Sequence, residues 1–550
     1  MSPSRSGSPA VGSHRTPRAV TVQAGPWTVL DDSYDTAHAG PNVAQQLYNV
    51  LSLDAGSTIG RPGCTYHSTQ GGAGGNRTPQ CHFQLTTALG TEVTGRIVGG
   101  KLETATWAAN VITGWTNTVT AANFATASIT VSASARIAVI QFADKLIFSD
   151  GVNKPWQWDG TAGAGGLLSL TVASVWYGVP VVRDAQVIAI RSSDRRTIEW
   201  SAVNDATSGY NTQNWTLAQI SETGLTALAA FNDVLIVFRA RMCQPIYGKV
   251  NATFATNGTR ATLSENIGTL SPFAVTIWDN RCFFIDADGR PQALSASAGS
   301  VTYAADTTET PGANAGLWQR LRETCKTVDR SKLTAASAVI FIPLQLVLLG
   351  VARTTTDTNP GMWFVLDPKA VEPRATWGGF EFLAPANVKD GAGAPQLAFG
   401  DANGYSYTYY DMGTSTVFND ILQTGTAAIT HQIVATPLAD DRALEVNWYR
   451  ADVLARAATD QHLGLSVRTP NGTSSAQSFV ITGNSFVFGV SLLGTGKLGE
   501  NTTEKKATVG LGSHGRFISP TITHSTLSEQ FGIVGVRLEG VVTRDDPAVK

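Results

Sequence analysis

Charge is scarce in this sequence. Only 15% of the 550 residues are Asp, Glu, Lys or Arg, against about 25% in ordinary soluble domains, so something else has to cover the surface. The 40 basic and 42 acidic residues nearly cancel, leaving −2, which is no electrostatic footprint for gripping nucleic acid. Long apolar runs are also lacking. The best, residues 336–352, is interrupted by Pro343 and Gln345 and reads as two buried strands, because a membrane span needs about 18 to 20 unbroken apolar residues. Five cysteines, Cys64, Cys81, Cys243, Cys282 and Cys325, are too few for a disulfide framework, and their odd number suits a reducing compartment. Residues 1–20 hold Ser, Pro and Arg without an apolar segment, so a disordered or partner-ordered arm is expected there and not a secretory signal.

Catalytic signatures are equally sparse. The nearest text to a phosphate-binding loop, Ser491–Gly499, has Ser491 in place of the first glycine and Leu498 in place of the hydroxyl residue, which removes the groups that would cradle phosphate and hold Mg²⁺. No zinc-protease, nucleophile-elbow or dinucleotide fingerprint occurs. No cofactor and no metal are expected, and the chain reads as non-enzymatic.

What the chain does have is 54 glycines and a repeated phrase. An aspartate turn followed by four to six β-branched or aromatic residues recurs at Asp144, Asp184, Asp233 and Asp279, at separations of 40, 49 and 46 residues. Four strands and their turns need that length, which is one blade of a β-propeller. Weaker copies at 90–107, around Gly99-Gly100, at 338–368 and at 389–411 bring the count to about seven blades. Asp150-Gly151, Asp286 to Gly289 and Asp401 to Gly404 supply residues that tolerate the positive φ of tight hairpins.

The expected fold is therefore all-β: a propeller of about seven blades over 81–420, with an inserted helix and a C-terminal β-sandwich-like domain over 425–550 whose strands keep a different rhythm. Residues 21–80 are expected as an extended, glycine-rich lead-in. The helix is placed at 313–332, where Leu317, Leu321 and Cys325 share one face. It either caps the sheet beneath or offers Leu317, Trp318 and Leu321 to a neighbouring subunit.

Several side chains invite a sharper reading beside a plain one. Cys64, His67, Cys81 and His82 are four nitrogen or sulfur groups within a short stretch, a zinc set or ordinary loop residues; adjacent Cys81 and His82 point opposite ways on a strand. Asp286 and Asp288 resemble the start of a calcium loop, but Ser297 stands where the closing acid is needed. Trp156 and Trp158 share a face and either stack on a sugar or pack against the next blade. Ser149-Asp150 lacks the spacing of a sialidase box. Arg191, Arg195 and Arg196 form a basic loop, read first as solvated charge.

Three passages together resemble the propeller-containing nozzle or hub proteins of short-tailed bacteriophage tails: the lead-in from Asn42 to Cys64 with its Arg61-Pro62-Gly63, the blade text from Phe142 to Leu294, and the ending from Gly515 to Arg544. The resemblance implies a structural virion protein made in the host cytoplasm and built into the tail. It implies a homo-oligomeric ring, most simply a hexamer, below the portal and adaptor, docking other tail or fibre proteins while DNA passes without sequence-specific binding. A receptor- or glycan-binding tail module is the alternative. A glycan-degrading propeller would need carboxylates gathered at the propeller mouth.

Overall fold

In the computed structural model the chain is described at residues 18–27, 29–32, 42–53, 57–67, 78–108, 111–172, 174–217, 224–231, 233–297, 300–303, 317–354, 357, 359–409, 419–422, 425–439, 445–455, 460–482, 505–526, 529 and 531–544. It is an all-β protein built on a seven-bladed propeller. Five four-stranded antiparallel sheets follow one another as blades 1 to 5, over 79–119, 138–169, 176–216, 225–260 and 275–303. Blade 6 covers 337–378 and blade 7 starts at 383. The first strand of each blade is innermost and lies against the first strand of the next; Leu383–Lys389 against Pro79–Thr86 closes the circle.

The four aspartates of the repeat all fall in the hairpin between a blade's first and second strands. Positive φ occurs there at Ala143, Asp184, Ala185, Asp233 and Asp279, between 51° and 58°, the conformation that matches a two-residue turn to the strand twist. The apolar run at 336–352 is two buried strands, Ser337–Phe341 and Leu346–Val351, with Gln345 turning at φ 51° between them.

The lead-in differs from expectation. Ala19–Ala24 pairs with the last strand, from Ala19↔Val541 to Ala24↔Val536. Val50–Leu53 and Ser57–Gly60 extend the same sheet. Val43–Tyr48 pairs with His431–Ala435 in the facing sheet and, through Tyr48↔Thr376, with the outer strand of blade 6. Cys64–Tyr66 pairs with Ser406–Tyr409 and becomes the fourth strand of blade 7. The described strands between 19 and 66 thus belong to the sandwich and the propeller, because each meets an edge whose backbone N–H and C=O groups would otherwise be unpaired. Of the expected arm, 1–17 lie outside the described residues.

One contiguous core runs from Trp363 and Trp377 of blade 6 through Trp27, Leu47 and Val50 to Trp448, Val453, Ile522 and Leu538 of the sandwich. Separate cores fill the spaces between blades; Phe83, Phe148, Trp156 and Trp158 pack together between blades 1 and 2.

Candidate functional site: the closing seam and the propeller channel

The expected inserted helix is two short helices, Leu317–Arg320 and Arg322–Lys326, with the break at Leu321 (φ −111°, ψ 27°). Asp32 of the lead-in supplies the reason: its carboxylate accepts from the backbone N–H groups of Glu323 (2.9 Å) and Thr324 (2.6 Å) and starts the second helix there, as an N-cap does. Residues 313–316 lie outside the described set. Leu317 and Leu321 are 3% and 0% exposed in the main core. A residue held that way cannot offer a surface to a partner, so the capping role replaces the interface role. Trp318 is half-buried with the Arg290 guanidinium 4.6 Å above its ring.

The tryptophan pair is also interior. Trp156 stacks on Phe148 (4.2 Å between centroids, 13°) and meets Phe124 edge-on, while Trp158 meets Phe83 of blade 1 at 5.9 Å. Both are packing residues, not a sugar platform. Ser149 and Asp150 are buried beside them.

Two of the four repeat-turn acids are engaged internally and in different directions. Asp144 of blade 2 accepts from the Ala88 N–H of blade 1 (2.6 Å), whereas Asp184 of blade 3 accepts from the Val250 N–H of blade 4 (2.7 Å). Asp286 accepts from the N–H groups of Asp288 and Arg290 and from the Gln292 amide, each at 2.9 Å, and Asp288 faces Arg241 and Arg290. That pair serves its hairpin. In the basic loop, Arg191 pairs with buried Glu199 (3.0 Å) and Arg195 donates to the Leu225 carbonyl while lying over Tyr177, so neither is simply solvated charge.

The four Cys and His groups do not converge. Cys64 directs its thiol at Asp420 (3.3 Å), and Cys81 lies in the core between blades 1 and 2. Among the described residues no group of three His, Cys, Asp or Glu is placed to hold a metal. The two histidines instead join a buried polar seam where blade 7 meets blade 1. His82 donates Nδ1–H to the Ala384 carbonyl (2.9 Å) and its Nε2 accepts from Ser406 Oγ (2.8 Å), which in turn accepts from Arg96 (2.7 Å). His67 donates to the Ile112 carbonyl and accepts from Thr408 Oγ1, both at 3.1 Å. The carbonyl partners fix a proton on Nδ1, and burial keeps both rings neutral. Burial, ahead of the nearby Arg96 charge, lowers His82 to about 3 and His67 to about 4. Arg96 is itself paired with Glu103 at 2.8 Å.

A second buried knot lies where the lead-in crosses from sandwich to propeller. Arg61 is 3% exposed. It donates to Asn49 Oδ1 (3.0 Å), the Pro62 carbonyl (3.0 Å), the Gly378 carbonyl (3.4 Å) and both oxygens of Asp420 (2.9 and 2.5 Å), and lies 4.6 Å from the Phe380 ring centroid. Burial alone would lower its pKa; the Asp420 charge outweighs that and raises it. The Arg-Pro-Gly of the sequence is thus a rivet holding lead-in, blade 6 and the strand Asn419–Leu422 together.

At one end of the propeller channel the starts of the inner strands surround a cavity of about 210 Å³. Its lining includes Val139, Val179, Phe273, Ala338 and Pro385, and one cation, Arg136. Sequence reading passed over Arg136. The signal was present: it stands eight residues before Asp144, where Trp176, Leu225 and Ser271 stand before the other three repeat aspartates.

The sequence matches no family model and no curated protein. Among solved structures the chain is similar to BamB from Moraxella catarrhalis (11% identity, TM-score 0.34, covering 71% of this chain and 100% of that one). It is similar also to the N-terminal domain of Nup159 (12%, 0.35, 66% and 99%). A third likeness is to an exo-β-1,3-galactanase from Phanerochaete chrysosporium with galactose (11%, 0.25, 75% and 97%). At these identities and TM-scores the likenesses carry nothing about activity.

Proposed function

We propose that the chain is a structural subunit of a bacteriophage tail, one of six copies in a closed nozzle or hub ring that extends the DNA exit channel below the portal and adaptor. The observation that carries this reading is the use made of the lead-in. It holds one of the three passages that together resemble tail nozzle proteins. Its strands complete both sandwich layers and supply the fourth strand of blade 7, and its Arg61 rivets these parts together. A chain tied across its own domains suits a load-bearing part better than a mobile binding module. The near-neutral chain suits a lumen past which DNA slides. Trp156 and Trp158, which would have carried a glycan-binding reading, are core residues, and two of the turn carboxylates a glycan-degrading propeller would need, Asp144 and Asp184, serve neighbouring backbone.

Negative-stain images of the purified chain test the proposal. Six-fold rings with a central hole are expected; single particles without rings at high protein concentration, with or without tail partners, would remove it.

A further inference from the structure

A guanidinium is costly to place inside a protein unless a negative charge accompanies it. Arg61 has Asp420, Arg96 has Glu103 and Arg191 has Glu199. Arg136 has none. Its one hydrogen bond runs from Nη1 to Ser337 Oγ at 2.7 Å, and its guanidinium carbon lies 3.8 Å from the Phe273 ring centroid. Its Nε and Nη2 donate to nothing among the described residues, and no Asp or Glu lines the cavity it faces. His82, which also lines it, spends both ring nitrogens on Ala384 and Ser406 and contributes no charge. Arg136 is half-buried, so its unused donors are open to the cavity, and desolvation lowers its pKa. Three features coincide at this end of the channel: a cation without a counter-charge, two of its donors free, and an apolar wall from six of the seven inner strands.

The geometry points to the Arg136 end of the propeller channel as a binding site for a small monocarboxylate with a compact apolar body. The carboxylate takes the open edge of the guanidinium through two parallel N–H···O bonds, the arrangement arginine favours. The body lies against Val139, Val179 and Ala338. A volume near 210 Å³ is below the ordinary range of about 300 to 1,000 Å³ for ligand pockets, which suits a short-chain or single-ring acid. The site lies within one chain and does not depend on ring assembly.

Titration calorimetry of the full-length chain with benzoate tests this, with benzamide as the neutral molecule of the same shape. Saturable binding of one benzoate per chain is expected, at least tenfold weaker for benzamide and at least tenfold weaker for benzoate with Arg136→Gln. Absence of benzoate binding, equal binding of benzamide, or undiminished binding by a folded Arg136→Gln chain would overturn the assignment. Should Arg136→Gln fail to fold, the benzoate and benzamide comparison on the native chain decides by itself. Val179→Phe, which fills the cavity and leaves the charge, is expected to abolish binding too, and retained binding would place the ligand elsewhere.

Discussion

At the residue scale, the buried ionic and polar knots carry the sharpest consequences. Asp420→Asn leaves the Arg61 guanidinium without its counter-charge in the core, so a loss of about 3 to 5 kcal/mol in stability is expected, read as a lowered denaturation midpoint. Asp144→Ala, which removes a single clip on an exposed turn, should cost about 1 kcal/mol. The seam histidines make stability depend on pH. Folded pKa values of about 4 for His67 and about 3 for His82 lie below the unfolded value near 6.5. As pH falls from 6.5 toward 4, the unfolded chain therefore takes up protons that the folded chain refuses. Stability contributed by the neutral rings is present above pH 6.5 and is lost below it, by about 1.4 kcal/mol per pH unit for each histidine. Urea midpoints at pH 7.5 and 5.0 should show this fall, and His82→Asn should flatten it; an unchanged slope in that variant would place the ring in contact with solvent.

At the element scale, the strand Cys64–Tyr66 completes blade 7 from more than 300 residues away in sequence, through Tyr407↔Tyr66 and Tyr409↔Cys64. Thr65→Pro removes a backbone donor from a strand paired on both sides and should cost about 3 kcal/mol. Hydrogen exchange is expected to quicken in Ser406–Tyr409 while the inner strands of blades 3 and 4 stay protected. This strand also marks where legibility stopped. The hairpins at Asp144, Asp184, Asp233 and Asp279 were readable because both their strands are neighbours in sequence and the positive-φ turn demands a recognisable residue. Cys64–Tyr66 and Val43–Tyr48 were not, since a short strand advertises its hydrophobic pattern but not a partner that lies hundreds of residues away. The pattern of Leu317, Leu321 and Cys325 correctly marked a buried face, yet the break at Leu321 depends on Asp32, nearly 300 positions earlier. For the sites, composition could flag the Cys and His residues without saying which way each pointed. Arg136 became visible only when the inner strands were brought around one cavity.

At the scale of the whole molecule, propeller and sandwich share a core and a sheet, so they should unfold together and not as two separable domains. The propeller face that carries the hairpins between first and second strands exposes Leu89 (96%), Val182 (40%), Val203 (57%) and Ile342 (42%). The proposed ring would cover exposed apolar groups such as these, whereas Leu317 and Leu321 are interior. Leu89→Glu with Ile342→Glu is expected to leave a folded monomer that no longer assembles, with circular dichroism unchanged and sedimentation slowed. The central claim, that this chain is built to form a closed ring, is tested most directly by native mass spectrometry of the purified protein. A dominant species at six times the 58.0 kDa chain mass is the expected result; a chain that stays at 58.0 kDa across the whole concentration range, alone and with tail partners, would contradict it.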